Sequence, residues 1–174
     1  LQTVGLPPEA VDTLILGNAL GAGGNPARMT ALAAGLPQRC ATFSVDTQCC
    51  SGLDAIALAA ARILSGQSDV VIAGGAEAWT RSPIRQHRPM DATQAAIPYE
   101  RPAFTPWPAR DPDPLQAAAD YASRHGFTRH QQDAYARDSH ARAVRAMEPR
   151  RSCTPFSILP LEGLVHDAYP RLLS

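Results

Sequence analysis

Apolar and polar positions change their period repeatedly along the first 80 residues, and each change marks an element. VDTLILGN (residues 11–18) is a compact apolar run of strand formers, closed by the turn cluster GAGGNP. Pro26 suits the first turn of a helix that continues through ARMTALAAG and stops at Gly35 and Pro37. CATFSVD (residues 40–46) alternates and carries β-branched and aromatic residues, which predicts a second strand. SGLDAIALAAARILSG (residues 51–66) is apolar nearly all round and is expected as a buried helix. DVVIAGGAE (residues 69–77) reads as a continuous apolar strand running into a double glycine. This succession of strand, helix, strand, helix and strand predicts an α/β layered domain.

After Trp79 the pattern loosens. Residues 80–114 are rich in proline and poor in apolar runs, so a boundary is expected there: an α/β core over 1–79, then a distinct segment over 80–174. Two amphipathic helices follow, PLQAAADYASRHG and TRHQQDAYARDSHARAVRAM. Thr128 is placed to cap the second, with Gln131 as its capping-box partner. FSILPLEGL reads as a short strand, and the opening LQTVGLPPEA reads as the tail of a helix with sequence ahead of it.

Composition narrows the classes. Hydrophobic residues make up 45% and charged residues 18%, a globular balance. Acidic and basic residues number 16 each, so charge argues against a nucleic-acid partner or a polybasic membrane contact. All of the basic residues are Arg, which excludes a Schiff-base lysine from these residues. No stretch approaches the roughly 20 apolar residues of a membrane span. Cys40, Cys49, Cys50 and Cys153 do not have zinc-site spacing, no metal is expected, and a reduced, cytoplasmic setting is the default.

Cys49 and Cys50 fall at the junction of the second strand and the following helix. Unpaired amide donors and the positive end of the helix dipole converge at such a junction, where they stabilise a thiolate and support an oxyanion. Position alone does not choose between the two thiols. Cys40 and Cys153 are expected as packing residues.

VDTQCCSGLDAIALAAARILSGQSDVVIAGGAEAW resembles the nucleophile segment of the thiolases, whose usual form is V-N-x-x-C-x-S-G-L-x-A-I followed by V-x-x-A-G-G-x-E. The resemblance extends upstream through LGNALGAGGNPARMTALAAGLP and more weakly downstream through GFTRHQQDAYARDSHARA. It implies a layered αβα thiolase-like fold, present as an incomplete half with an irregular, helical loop domain. It places the acylated cysteine on Cys49, two residues before Ser51-Gly52. Asp46 stands where the family has Asn, and a carboxylate there either opposes the thiolate or caps the helix. Backbone support of the acyl group falls on Cys49 itself, Gly52, Gly74 and Gly75, with a plain strand-end turn as the alternative for the glycine pair. Asp113, Pro114 and Leu115 take the place of a family segment at the acyl pocket.

The resemblance also implies a substrate, a coenzyme A thioester, with no permanently bound cofactor. The family's activating histidine sits in a Gly-His-Pro loop, and none of His87, His125, His130, His140 and His166 lies between Gly and Pro. The general base is therefore expected from a complementary C-terminal half, in the same gene or a separate subunit. With the family strand order 3-2-1-4-5, the first strand seems absent, and a gap is expected between the strands present. The strand at residues 40–46 is expected at the sheet edge, pairing two copies about a two-fold axis. A ketoacyl synthase shares the layered fold but matches less well, and the rival of another class is a non-catalytic scaffold subunit.

Overall fold

The computed structural model describes residues 1, 4–147, 163 and 169–173. Strand β1 (Thr13–Gly17) is buried along its whole length. It lies between β2 (Ala41–Val45) and β3 (Val71–Gly75) and runs parallel to both. A parallel strand covered on both faces needs apolar side chains at nearly every position, and Leu14, Ile15 and Leu16 supply them.

Alternation along β1 builds two cores. Leu14 and Leu16 join Val11, Ala27, Ala31, Leu36 and Cys40 on the side of helix α1 (Pro26–Ala33). Ile15 meets Ala55 and Ala59 of helix α2 (Ser51–Leu64) on the other side. The result is helix, sheet, helix: the expected αβα layering. Helix α1 begins as its sequence predicts, with Pro26 in its first turn, Asn25 accepting the Arg28 amide, and Gly35 at φ 75° just past its end.

Two expectations need correction. The gap in the sheet is absent, because β1 pairs residue for residue with both neighbours, from Thr13 with Ala41 and Val71 to Gly17 with Val45 and Gly75. The described strands thus form one continuous sheet in the order β2-β1-β3, with β2 at an edge as expected. Helix α2, in turn, is buried only along Ser51, Ala55 and Ala59. Its far side carries Leu53, Ile56 and Leu64 at 69%, 54% and 88% exposure. One helix stripe covers the sheet, and nothing among the described residues buries the opposite one.

The proline-rich stretch is more ordered than its composition suggests. Strands β4 (Arg85–His87) and β5 (Ile97–Tyr99) form an antiparallel hairpin with His87 stacked on Tyr99, ring centroids 4.4 Å apart. Arg85 donates to the carbonyls of Leu20 and Gly21, which ties the hairpin to the loop after β1. By contacts the first compact unit runs through Pro102 and includes this hairpin.

The second unit holds helices α3 (Pro114–Arg124) and α4 (Arg129–Met147). The capping box is formed: the Gln131 amide donates to Thr128 Oγ1 at 3.2 Å, and the Thr128 amide donates to Gln131 Oε1 at 2.9 Å. Apart from Gly163, the FSILPLEGL segment lies outside the described residues, as do Cys153 and His166. Among the described residues no helix is long and apolar enough to cross a membrane.

Candidate active site

Parallel strands with intervening helices converge their carboxyl ends on one edge, and the three strands end there in Gly17, Val45 and Gly75. The chain leaves β2 through a 3-10 turn, Gln48–Cys50, and enters α2 at Ser51. Cys49 and Cys50 are free and exposed at this turn. Cys40 is buried, and its thiol donates to the Ala41 carbonyl at 3.6 Å. Burial pushes that thiol up in pKa, against the opposing pull of Arg28, which makes it unreactive packing.

Glycines let the helix start sit directly on the sheet edge. A Cβ on Gly17 would lie 2.4 Å from the Ser51 carbonyl carbon and 2.6 Å from the Gly52 nitrogen. Gly75 and Gly52 also meet: a Cβ on Gly75 would stand 3.6 Å from the Gly52 Cα. Gly52 and Gly75 are thus packed against backbone, whereas a Cβ on Gly74 would meet nothing within 4 Å. Gly17 escapes a reading of the sequence, because its partner lies 34 residues along the chain and only the fold brings them together.

The turn itself is held by side chains. Gln48 has φ 57°, the left-handed region that a non-glycine residue enters at a cost. Asp46 Oδ1 accepts the Gln48 amide at 2.9 Å. Ser51 Oγ accepts the Thr47 amide at 2.9 Å and donates to the Gln48 carbonyl at 2.6 Å. Thr47 Oγ1 donates to Asp54. Asp46 thus closes a local turn onto the Gln48 amide, and the start of α2 itself carries no side-chain cap bond.

Glu77 closes the neighbouring side. Its Oε2 accepts the amides of Ala19 and Leu20 at 2.9 and 3.0 Å, and Oε1 accepts Asn18 Nδ2 at 3.1 Å. Asn18 also donates to the Ala76 carbonyl at 2.8 Å. The loop after β1 is thereby pinned to the loop after β3. Glu77 closes the A-G-G-x-E segment, so the signal was in view, but its amide partners are not readable from the sequence. A cleft of about 160 Å³ beside the turn is lined by Asn18, Gly21, Ser44 and Asp46 among others.

In the second unit, Asp113 caps α3 by accepting the amides of Leu115 and Gln116 at 2.8 and 3.2 Å, Pro114 opens the helix, and Leu115 is exposed. The His125 and Tyr121 rings meet at a tilt of 33°, and His140 Nδ1 accepts the Arg171 amide at 3.4 Å. Among the described residues no thiol bonds to a histidine, and no group of His, Cys, Asp and Glu has the geometry to hold a metal ion.

The family model for the thiolase N-terminal domain matches residues 1–158. This chain belongs to the thiolase family. Among relatives of this thiolase chain, a Staphylococcus aureus (strain MRSA252) protein bearing the name acetyl-CoA C-acetyltransferase VraB is 39% identical over 132 residues, covering 75% of this chain and 35% of that protein. A Bacillus subtilis (strain 168) protein bearing the name acetyl-CoA C-acetyltransferase YhfS is 41% identical over 139 residues, covering 79% and 34%. The crystal structure of the Bacillus anthracis acetyl-CoA acetyltransferase superposes with TM-score 0.69 at 35% identity, over 83% of this chain and 38% of that one. The Acat5 thiolase from Ascaris suum, solved in complex with coenzyme A, gives TM-score 0.64 at 26% identity, over 83% and 39%. The thiolase chain thus spans about a third of the length of the curated relatives it matches.

Proposed function

We propose that this chain is the nucleophile-bearing part of a thiolase-like acyltransferase and that Cys49 is its acylated residue. The observation that carries the reading is the placement of Cys49: an exposed thiol, at the start of a 14-residue helix, on the strand-end edge of a thiolase N-terminal domain. The Cys49 thiolate attacks the thioester carbonyl of an acyl-coenzyme A, the bond to the coenzyme A sulfur breaks, and an acyl-cysteine forms. A second acyl-coenzyme A, deprotonated at its α-carbon, then displaces the cysteine, forming the carbon–carbon bond β to its own thioester. Degradation runs the same steps in reverse. Backbone at Cys49, Gly52, Gly74 and Gly75 lines the acyl group, and Asp113, Pro114 and Leu115 are assigned to substrate binding by the family resemblance.

The general base comes from a complementary C-terminal half, either a continuation of the same gene product or a separate subunit. The uncovered apolar face of α2 supports this, since a helix apolar all round is stable only when covered all round. The enzyme works in the cytoplasm, where its thiols stay reduced. It pairs with a second copy through residues 40–46, because β2 is a sheet edge whose Phe43 is 42% exposed. Placing like charges across that two-fold with Phe43→Arg halves the mass seen by light scattering. An unchanged oligomer with intact circular dichroism rejects the interface. Ser44 is a poorer probe than its edge position suggests, because its hydroxyl accepts the Ala27 amide and donates to Asn25.

The catalytic reading is tested by brief incubation with acetyl-coenzyme A of the chain coexpressed with a thiolase C-terminal half, followed by peptide mass spectrometry. Acetyl on Cys49, lost in Cys49→Ala, is the expected result. An adduct on Cys50 that survives Cys49→Ala overturns the assignment. The non-catalytic scaffold reading draws no support from Asp46, because that departure from the family's Asn still bonds the Gln48 amide.

A further inference from the structure

We infer that Asp46 is a positioning residue: through its bond to the Gln48 amide it holds the left-handed turn that aims Cys49. The inference rests on the reading of Cys49 as nucleophile and adds what makes that thiol, and not its neighbour, the reactive one. Gln48 is the one non-glycine residue at positive φ among the described residues, and it immediately precedes Cys49. Its side chain gains nothing from that conformation, so the surroundings must impose it.

Both backbone groups of Gln48 are held. Asp46 Oδ1 accepts its N–H at 2.9 Å, and the Ser51 hydroxyl donates to its C=O at 2.6 Å. Across a trans peptide the carbonyl and the next amide point in opposite directions. Fixing the Gln48 carbonyl toward Ser51 therefore turns the Cys49 N–H away from Ser51. Among the described residues nothing accepts that N–H. It is left available to a negative charge developing beside Cys49. Ser51 is only 4% exposed and is committed twice, to the Thr47 amide and the Gln48 carbonyl, so it is a fixed post. Asp46 is the member that ties strand β2 to that post. Without it Gln48 falls back to an ordinary conformation, the 48–49 peptide rotates, and Cys49 loses its register with the helix start. Cys50 closes the same turn, but it is the N-cap residue of α2 and its own amide donates to the Thr47 carbonyl at 3.3 Å, so it keeps its place.

The bond needs an acceptor oxygen at position 46 and not a charge. Asn there supplies the same Oδ1, so the carboxylate of this chain is a geometric equivalent of the family's Asn. Glycine at position 48 would make the clamp unnecessary, because glycine enters positive φ without the Cβ clash.

The test uses the chain coexpressed with a thiolase C-terminal half and the rate of alkylation of each of its cysteines by iodoacetamide, resolved by peptide mass spectrometry with Cys50 as internal standard. It needs no acyl-coenzyme A, so it can fail while Cys49 still proves to be the acylated residue, and the reverse. Asp46→Ala is expected to lower the Cys49 rate relative to Cys50 by about tenfold, because the reactivity of a thiol follows its exposure and local surroundings. Asp46→Asn is expected to stay within about twofold of the native chain, since it retains the acceptor oxygen. The double variant Asp46→Ala/Gln48→Gly is expected to recover most of the loss. A native ratio in Asp46→Ala, a loss in Asp46→Asn equal to that in Ala, or no rescue by Gln48→Gly overturns the inference. For an Asp46→Ala chain that does not fold, amide exchange in the native chain decides. The Gln48 proton must exchange more slowly than the Cys49 proton, and equal rates overturn the inference.

Discussion

The two ends of the parallel sheet use the same chemistry for opposite purposes. At the amino ends of the strands, Asp12 accepts the amides of Asp69 and Val70 at 2.8 and 3.0 Å. The Thr13 and Ser68 hydroxyls bond at 2.9 Å in a buried position, and Arg28 donates to the Gln38 and Cys40 carbonyls. Every one of these contacts fastens one element to another. At the carboxyl ends Glu77 also fastens one loop to another, but Asp46 accepts a backbone amide inside the turn that carries two exposed thiols. The amino end even has the larger cleft, about 290 Å³ lined by Asp12, Arg39, Ser68 and Asp69 among others, yet its Asp12 carboxylate is already committed to backbone. Cavity size does not set the two ends apart. Exposed thiols on a strained turn do.

Breaking the carboxyl end has the largest expected effect. Gly17→Ala places a methyl 2.4 Å from the Ser51 carbonyl carbon, and backbone on both sides leaves no room to yield. We expect a loss of about 3 kcal/mol in chemical denaturation, the upper end for overpacking, with Cys49 alkylation falling alongside. A Gly17→Ala chain as stable as the native one would show that α2 does not rest on the sheet edge as described.

The amino end sharpens the comparison through a smaller, pH-dependent effect. Hydrogen bonds from the Val70 and Asp69 amides hold the Asp12 carboxyl below its ordinary pKa of 3.8. A carboxyl depressed by folding contributes stability above its unfolded value and loses it as the pH falls through the folded one. Asp12→Asn should therefore melt earlier than the native chain at pH 7, with the difference shrinking below about pH 4. Cys49 and Cys50 alkylation should stay unchanged, because Asp12 lies at the other end of the strands. A melting difference that is constant from pH 7 down to pH 3 contradicts the ionised role of Asp12.

What the sequence made legible was local. The strand runs at 11–18, 40–46 and 69–77, the Pro26 helix start and the Thr128–Gln131 capping box each depend on neighbours a few residues away, and each is found. The family motif pointed to Cys49 by register, and the fold puts it on the sheet edge where such chemistry belongs. Long-range relations were not legible. The contact of Gly17 with Ser51, the amides held by Glu77 and the direct pairing of β1 with β3 join residues far apart in the chain, and no local pattern records them. The uniform apolarity of α2 predicted burial, but composition says how much cover a helix needs and not which partner supplies it.

The direct pairing of β1 with β3 also has a consequence in time. Glu77 and the Ala19 amide it accepts are 58 residues apart, and the whole Cys49 turn lies inside the loop they close. Loop closure of that span must be met before its contacts repay it, and non-local parallel pairing is slow to form. The turn between β2 and α2 gains its floor of Gly17 and Gly75 only when both neighbours of β1 are in register. The turn that carries Cys49 is thus expected to assemble late: a half-folded chain holds this thiol without the geometry that surrounds it in the folded one.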